Sequence, residues 1–201
     1  MASHSVATQG GDGDDAATRT RNRLLDAVIH IAGTQGLDKV TYRSVAAQAG
    51  LSHSLVRFYF GTGEAMVTQA LERAVQLDAS EGQLLSDNID TFGSHMAEVI
   101  SNNPSRGMLQ YDYLLRAVRG GARLEDVTAQ YDFYIRQVSG TLSKVGIEDP
   151  EGSRAALILA ALDGLVLQHA IYRSEARTEA MLESLRELMR MLQSRGGIHP
   201  D

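Results

Sequence analysis

The fold turns on the stretch from Thr41 to Phe60, TYRSVAAQAGLSHSLVRFYF, in which two short helical patterns meet at a glycine. Thr41 is a good N-cap for a helix over Tyr42–Ala49, because its hydroxyl can accept a hydrogen bond from an N–H that the first turn leaves unpaired. The inner face of that helix is Val45, Ala46 and Ala49, small enough for a second helix to approach closely. Gly50 supplies a tight turn, and Ser52 caps the second helix, which runs to about Tyr59 with Leu51 and Leu55 as its natural anchors. A support helix, a glycine turn and a presented helix are the parts of a helix-turn-helix that enters the major groove of DNA. On this reading Ser52, His53, Ser54, Arg57 and Tyr59 face outward, as polar groups able to bond phosphates and base edges.

Upstream, Leu24, Leu25, Val28, Ile29 and Ala32 fall on one face of a helix that begins near Thr18 and stops at Gly36. Downstream, Gly61-Thr62-Gly63 breaks the chain, and Thr62 caps a helix over Glu64–Asp78 with Glu64 in its first turn. Further helices are expected over Asn88–Asn102, Ser105–Arg119, Leu124–Val145, Glu151–Ser174 and Thr178–Gln193. No segment alternates as a strand would. The expected fold is all-α: a disordered tail over 1–17, poor in large hydrophobes; a three-helix DNA-binding head over 18–63; and a larger helical bundle over 64–201.

The net charge of −6 argues against a nucleic-acid partner only until its distribution is considered. Residues 16–60 carry Arg19, Arg21, Arg23, Lys39, Arg43 and Arg57 against Asp26 and Asp38, a local balance of +4, while 61–201 stand at −7. Affinity for DNA follows the potential of the docking face, so a basic head on an acidic body is compatible with it. There is no cysteine, which removes disulfides, thiolate metal sites and thiol nucleophiles. The N-terminus lacks the apolar core of a signal peptide, and the longest unbroken apolar run, Ala155–Leu162, is far short of a bilayer span. A cytoplasmic protein with no membrane partner is expected.

The segment RLLDAVIHIAGTQGLDKVTYRSVAAQAGLSHSLVRFYFGTGEAMV resembles the N-terminal domain of TetR-family repressors. The resemblance rests on an ordered set: Leu-Leu-Asp-Ala in the first helix, Gly36, Thr41, Val45-Ala46, Ala49-Gly50-Leu51-Ser52, and Phe58-Tyr59-Phe60 followed by Gly-Thr-Gly-Glu-Ala. A late helix, Asp163–Tyr172, is similar to the segment such proteins use near their dimer interface. The resemblance implies a homodimer that binds a palindromic double-stranded DNA operator and is relieved by a small-molecule effector, with the bundle over 64–201 serving ligand binding and dimerisation. By matching position it adds Thr41, Tyr42 and Arg43 to the DNA contacts. Two departures stand out: Arg57 replaces a usual aromatic, and Gly63 replaces a usual lysine that meets a phosphate, a loss Arg57 is expected to offset.

In the C-terminal half, Glu151–Ser174 is rich in alanine and leucine, and Thr178–Gln193 is apolar at helical spacing. These two helices are expected to pair with their symmetry mates through Ala156, Ala160, Leu167, Leu182, Leu185 and Met189. Mixed polar and aromatic residues suit the lining of a ligand pocket: Met96, Met108, Tyr111, Leu114, Tyr134, His169 and Tyr172, with His95, Tyr113 and Phe133 as further interruptions of apolar faces. With few cations inside the bundle, an apolar or mildly polar effector fits better than a large polyanion. No cofactor or metal is expected, since the histidines show no metal-ligand spacing and no nucleophile elbow, P-loop or dinucleotide fingerprint is present. An enzyme is therefore disfavoured. The alternative is a helical interaction module that has lost DNA binding, for which Gly63 is the one supporting residue.

Overall fold

The computed structural model describes residues 11–196 and contains nine α-helices, two 3₁₀ turns and no strand among them. The helices are α1 (Gly11–Gln35), α2 (Tyr42–Ala49), α3 (His53–Phe60), α4 (Gly63–Glu81), α5 (Met96–Asn102), α6 (Pro104–Val118), α7 (Leu124–Lys144), α8 (Ser153–Tyr172) and α9 (Glu175–Gly196). The fold is the all-α one expected, with some shifted boundaries. Helix α1 starts at Gly11, so the last part of the expected disordered tail is helical, while residues 1–10 of that tail lie outside the described residues. The single helix expected over Asn88–Asn102 is divided into a 3₁₀ turn, Ile89–Thr91, and α5. Phe92 is fully buried between them, its carbonyl accepts a bond from Arg186 Nε at 2.9 Å, and Gly93 follows with φ +67°.

Local chemistry sets the ends of the head helices. Thr41 Oγ1 accepts from the Ser44 N–H at 3.1 Å and Ser44 Oγ accepts from the Thr41 N–H at 2.9 Å, a reciprocal capping box. Gly50 closes α2 in the left-handed region, φ 62°, where a side chain would be strained. The Ser52 and Thr62 hydroxyls cap α3 and α4 by accepting from the N–H groups of Leu55 and Ala65.

Two apolar cores result. The first joins Leu24, Leu25 and Val28 of α1 to Val45 of α2, Val56 and Phe60 of α3, and Met66 and Leu71 of α4, and also takes in Leu109, Tyr113 and Ala117 of α6. The core of the head therefore extends onto the C-terminal half of α6. The second core gathers the C-terminal end of α4 with α5, α7, α8 and α9. Where α1 crosses α6, Gly33 lies directly on the backbone of Ser105. Of the expected anchors, Leu51 packs at the edge of the head core and Leu55 does not join it; the deep anchors are Val56 and Phe60. Leu51 and Leu55 are only half-buried, because α3 begins at His53 and positions 56 and 60 then face α2 one turn apart.

Candidate nucleic-acid interface and ligand cavity

With Val56 and Phe60 turned inward, the opposite side of α3 presents His53, Ser54, Arg57 and Phe58 to solvent. Thr41 and Arg43 are exposed at the start of α2. Lys39, Arg43 and Arg57 form no ion pair among the described residues, so the head's positive charge is uncompensated there. Asp38, the nearest acid, is neutralised by Arg116 at 2.9 Å, and that bond holds its carboxyl below the usual carboxylate range.

Other expected contacts have second roles. Tyr42 is half-buried; its hydroxyl donates to the Gly61 carbonyl at 2.8 Å, and its ring meets His53 edge-on at 5.7 Å. It thereby braces α2 against both ends of α3. Ser52 is exposed, but its hydroxyl is engaged by the cap and by Ser54 Oγ at 3.1 Å. Tyr59 is half-buried on the head core, with only part of its ring free. Phe58 is 80% exposed and was missed by sequence reasoning, although the inward pair Val56 and Phe60 leaves position 58 no other direction.

Between α4, α5, α6, α7 and α8 lies a cavity of about 770 Å³. Of the expected pocket residues, Met96, Met108, Tyr111, Leu114, Tyr134 and His169 line it. Tyr172 does not and is corrected: α8 ends there, Arg173 turns the chain in a left-handed conformation, and the exposed ring lies 4.3 Å under the Arg177 guanidinium. His95 is exposed, Phe133 faces a separate shallow cleft, and Tyr113 belongs to the head core.

The polar groups of the wall were legible only in part. Gln110 donates through Nε2 to Asp78 at 2.8 Å and accepts through Oε1 from the Tyr134 hydroxyl at 3.0 Å and from Gln130 at 2.5 Å. Asp78 also accepts from Arg106 at 3.3 Å, but Arg106 is shared with Glu81 at 2.6 Å. Burial outweighs these contacts and pushes the Asp78 carboxyl up to about 6. Asp163, in the middle of apolar α8, is also raised by burial, with Tyr131 beside it favouring the charged form. Burial likewise raises the phenols of Tyr111, Tyr131 and Tyr134. His169 bridges three helices, meeting Ser101 Oγ at 3.2 Å and Thr178 Oγ1 at 2.7 Å.

The cavity is connected to the head. Asp112 of α6 accepts from the Leu37 N–H at 2.9 Å, Arg73 of α4 bonds Asp26 of α1 at 2.7 Å, and Asp126 of α7 accepts from both Thr68 of α4 and Tyr113 of α6. Burial, together with the bond to Asp126, pushes the Tyr113 phenol up to about 12.

On the far side of α8, Leu157, Ala160, Ala161, Leu167 and Ile171 are exposed, joined by Leu188 and Met191 of α9. This outer apolar face explains why α8 alone among the described helices is long and apolar enough to cross a membrane: one side lies in the core and the other is equally apolar. Of the expected interface residues, Ala156, Ala160 and Leu167 are exposed and Leu185 is half-buried. Leu182 and Met189 are corrected, since both are 1% exposed and lie within the protomer's own core.

Residues 87–192 match the family model described as "Tetracyclin repressor-like, C-terminal domain". Among curated proteins, the uncharacterized HTH-type transcriptional regulator YfiR of Bacillus subtilis is 25% identical over 170 residues, covering 78% of this chain and 82% of that one. Among solved structures, a transcriptional regulator from Rhodococcus sp. Rha1 superposes with a TM-score of 0.68 at 23% identity, over 90% of this chain and 99% of that one. The multidrug binding protein EbrR, complexed with imidazole, superposes with a TM-score of 0.60 at 21% identity, over 93% and 97%.

Proposed function

The chain belongs to the tetracyclin repressor-like family of DNA-binding transcriptional regulators, and from that premise we propose that it is a cytoplasmic, ligand-relieved repressor that binds a two-fold operator as a homodimer. The observation that carries this reading is the outward side of α3, where His53, Ser54, Arg57 and Phe58 stand exposed on a helix propped by Val56 and Phe60. Arg43 and Arg57 supply phosphate contacts, and His53 and Ser54 supply donors and acceptors for base edges. The second copy covers the apolar face of α8 and α9, which sets two recognition helices about one helical turn of DNA apart, roughly 34–36 Å. The effector occupies the cavity whose walls include α4 and α6, the helices tied to the head. Binding of small molecules by EbrR, a protein of similar fold, supports a ligand in this position.

The test is selection of bound duplexes from a random pool, followed by a salt titration on the selected site. A repressor of this kind selects an inverted repeat and loses affinity steeply with salt as phosphate contacts release counterions. Arg43→Ala and His53→Ala each weaken binding while the oligomer and the melting temperature stay unchanged. Leu157→Glu converts the dimer to a monomer in sedimentation. A flat salt dependence with no selected sequence would instead leave an interaction module.

A further inference from the structure

We propose that the cavity between α4, α6, α7 and α8 is built for an organic cation, with the Asp163 carboxylate as its counter-ion and tyrosine faces as its walls. The inference deepens the effector reading above and rests on it only for the consequence at DNA, not for the binding itself.

Three features of the wall point the same way. First, the carboxylates are unequally served. Asp78 has Arg106 and Gln110, whereas Asp163 has no basic partner among the described residues. The one arginine on the cavity wall, Arg173, is exposed at the end of α8 together with the acid Glu175. Second, Tyr111 and Tyr131 stand beside Asp163. Tyr111 donates its hydroxyl to the Asp163 carbonyl at 3.2 Å, which fixes the ring against the same turn of α8. Aromatic faces next to a carboxylate attract a cation through the ring quadrupole while covering its apolar groups. Third, much of the remaining wall is apolar, from residues such as Leu159, Leu162 and Val166, and no cluster of metal-ligating side chains occurs among the described residues, so a small hydrated metal ion finds no ligand set there.

Asp163 is half-buried with Tyr131 but no opposite charge beside it among the described residues; such a carboxylate is costly to a fold, and a ligand that brings the opposite charge removes that cost. An anion faces repulsion from Asp163, and a neutral ligand brings it no opposite charge. A cation with apolar substituents satisfies charge, tyrosines and apolar wall together, and the volume admits a molecule with several rings.

The experiment is calorimetric titration of the full chain with tetraphenylphosphonium and benzyltriethylammonium, and with tetraphenylborate as the anion matching the first in shape. The expected result is saturable binding of at least one cation, with tetraphenylborate at least tenfold weaker than tetraphenylphosphonium. Asp163→Asn lowers cation affinity at least tenfold without lowering the melting temperature, since asparagine keeps an acceptor for Tyr131. Asp163→Glu restores most of the affinity. Equal binding of the two shape-matched ions, no binding of either cation, or an Asp163→Asn variant that binds as well as wild type would each overturn the proposal. Operator release is measured separately. A cation that binds without releasing DNA refutes the effector role and leaves the cation site standing. Release of DNA by a ligand of another charge, with no cation bound, refutes the cation site and leaves the regulator standing.

Discussion

Gly33 is the point at which the head and the body meet most closely, and replacing it with alanine tests whether that crossing holds the molecule together. A Cβ at position 33 would lie 2.5 Å from Ser105 Cβ and closer still to the Ser105 backbone, where ordinary contact begins at 3.4 Å. Backbone cannot rotate away as a side chain can, so α1 and α6 must separate by about 1 Å. Overpacking of this kind costs about 1–3 kcal/mol, against a gain of about 0.5–1 kcal/mol from removing glycine from a helix. The net loss is about 1–2 kcal/mol. For a chain of this size that is a fall in melting temperature of roughly 2–8 °C by circular dichroism. Gly107→Ala in α6 is the matched control, because its Cβ would meet Val166 Cγ1 at an ordinary 3.7 Å, and it should melt at or above wild type. If Gly33→Ala melts as high as Gly107→Ala and binds DNA as wild type does, the close crossing does not fix the head on the body and the reasoning fails.

Gly63→Lys places a cation in open space at the first turn of α4, so operator affinity rises severalfold and the log–log salt slope steepens by about 0.9; an unchanged slope counts against a phosphate lying there. Phe58→Ala removes a ring that the fold does not use, so unfolding should stay within about 0.5 kcal/mol of wild type while operator affinity falls, and equal affinity would remove Phe58 from the interface. Asp78 titrates near 6 when folded against 3.8 in its unperturbed state, so the native state binds the extra proton. Its contribution is fully present below the lower value and is lost as pH rises through the upper one, about 3 kcal/mol in all. The groups that face it are Arg106, Glu81 and Gln110, so urea unfolding of wild type and Asp78→Asn should diverge between about pH 4 and pH 7. A constant difference across that range would refute the assignment.

The features legible in the sequence are those decided within a few residues. Thr41, Gly50, Ser52 and Thr62 could be placed because a cap or a left-handed turn is local chemistry. The facing of α3 was read one position off, at Leu51 and Leu55 where Val56 and Phe60 do the packing, since one residue turns a helix by about 100°. The break at Phe92 depends on Arg186, 94 residues away, and no local pattern announces it. Helix α9 carries apolar residues on two sides, and only packing decides that Leu182 and Met189 go inward while Leu188 and Met191 stay out. Asp163 was a different kind of omission: a lone acid inside ALILAALDGLVL was visible as a charge that such a helix does not need for folding.

A regulator of the proposed kind needs two arrangements of head and body, with the effector binding one of them better. The ties described above show where the difference can arise. At the cavity, Asp78 of α4 is bonded to Arg106 and Gln110 of α6, and near the head Asp126 receives a bond from each of the same two helices. Helices α4 and α6 are thus joined directly at the cavity and, near the head, through the N-terminal end of α7, which belongs to the same tied unit. Because Leu109, Tyr113 and Ala117 of α6 are part of the head's own core, the head follows that pair as a unit. The soft points are then the contacts that do not belong to this unit. The bond network from Gln110 to Tyr134 and Gln130 links α6 to α7 beyond the Asp126 tie, and Tyr111 links α6 to α8 at Asp163. Both face the cavity, so on the proposed function a ligand lodged there would act at the joint between the head-bearing unit and α8, whose outer apolar face is the one proposed for the second copy.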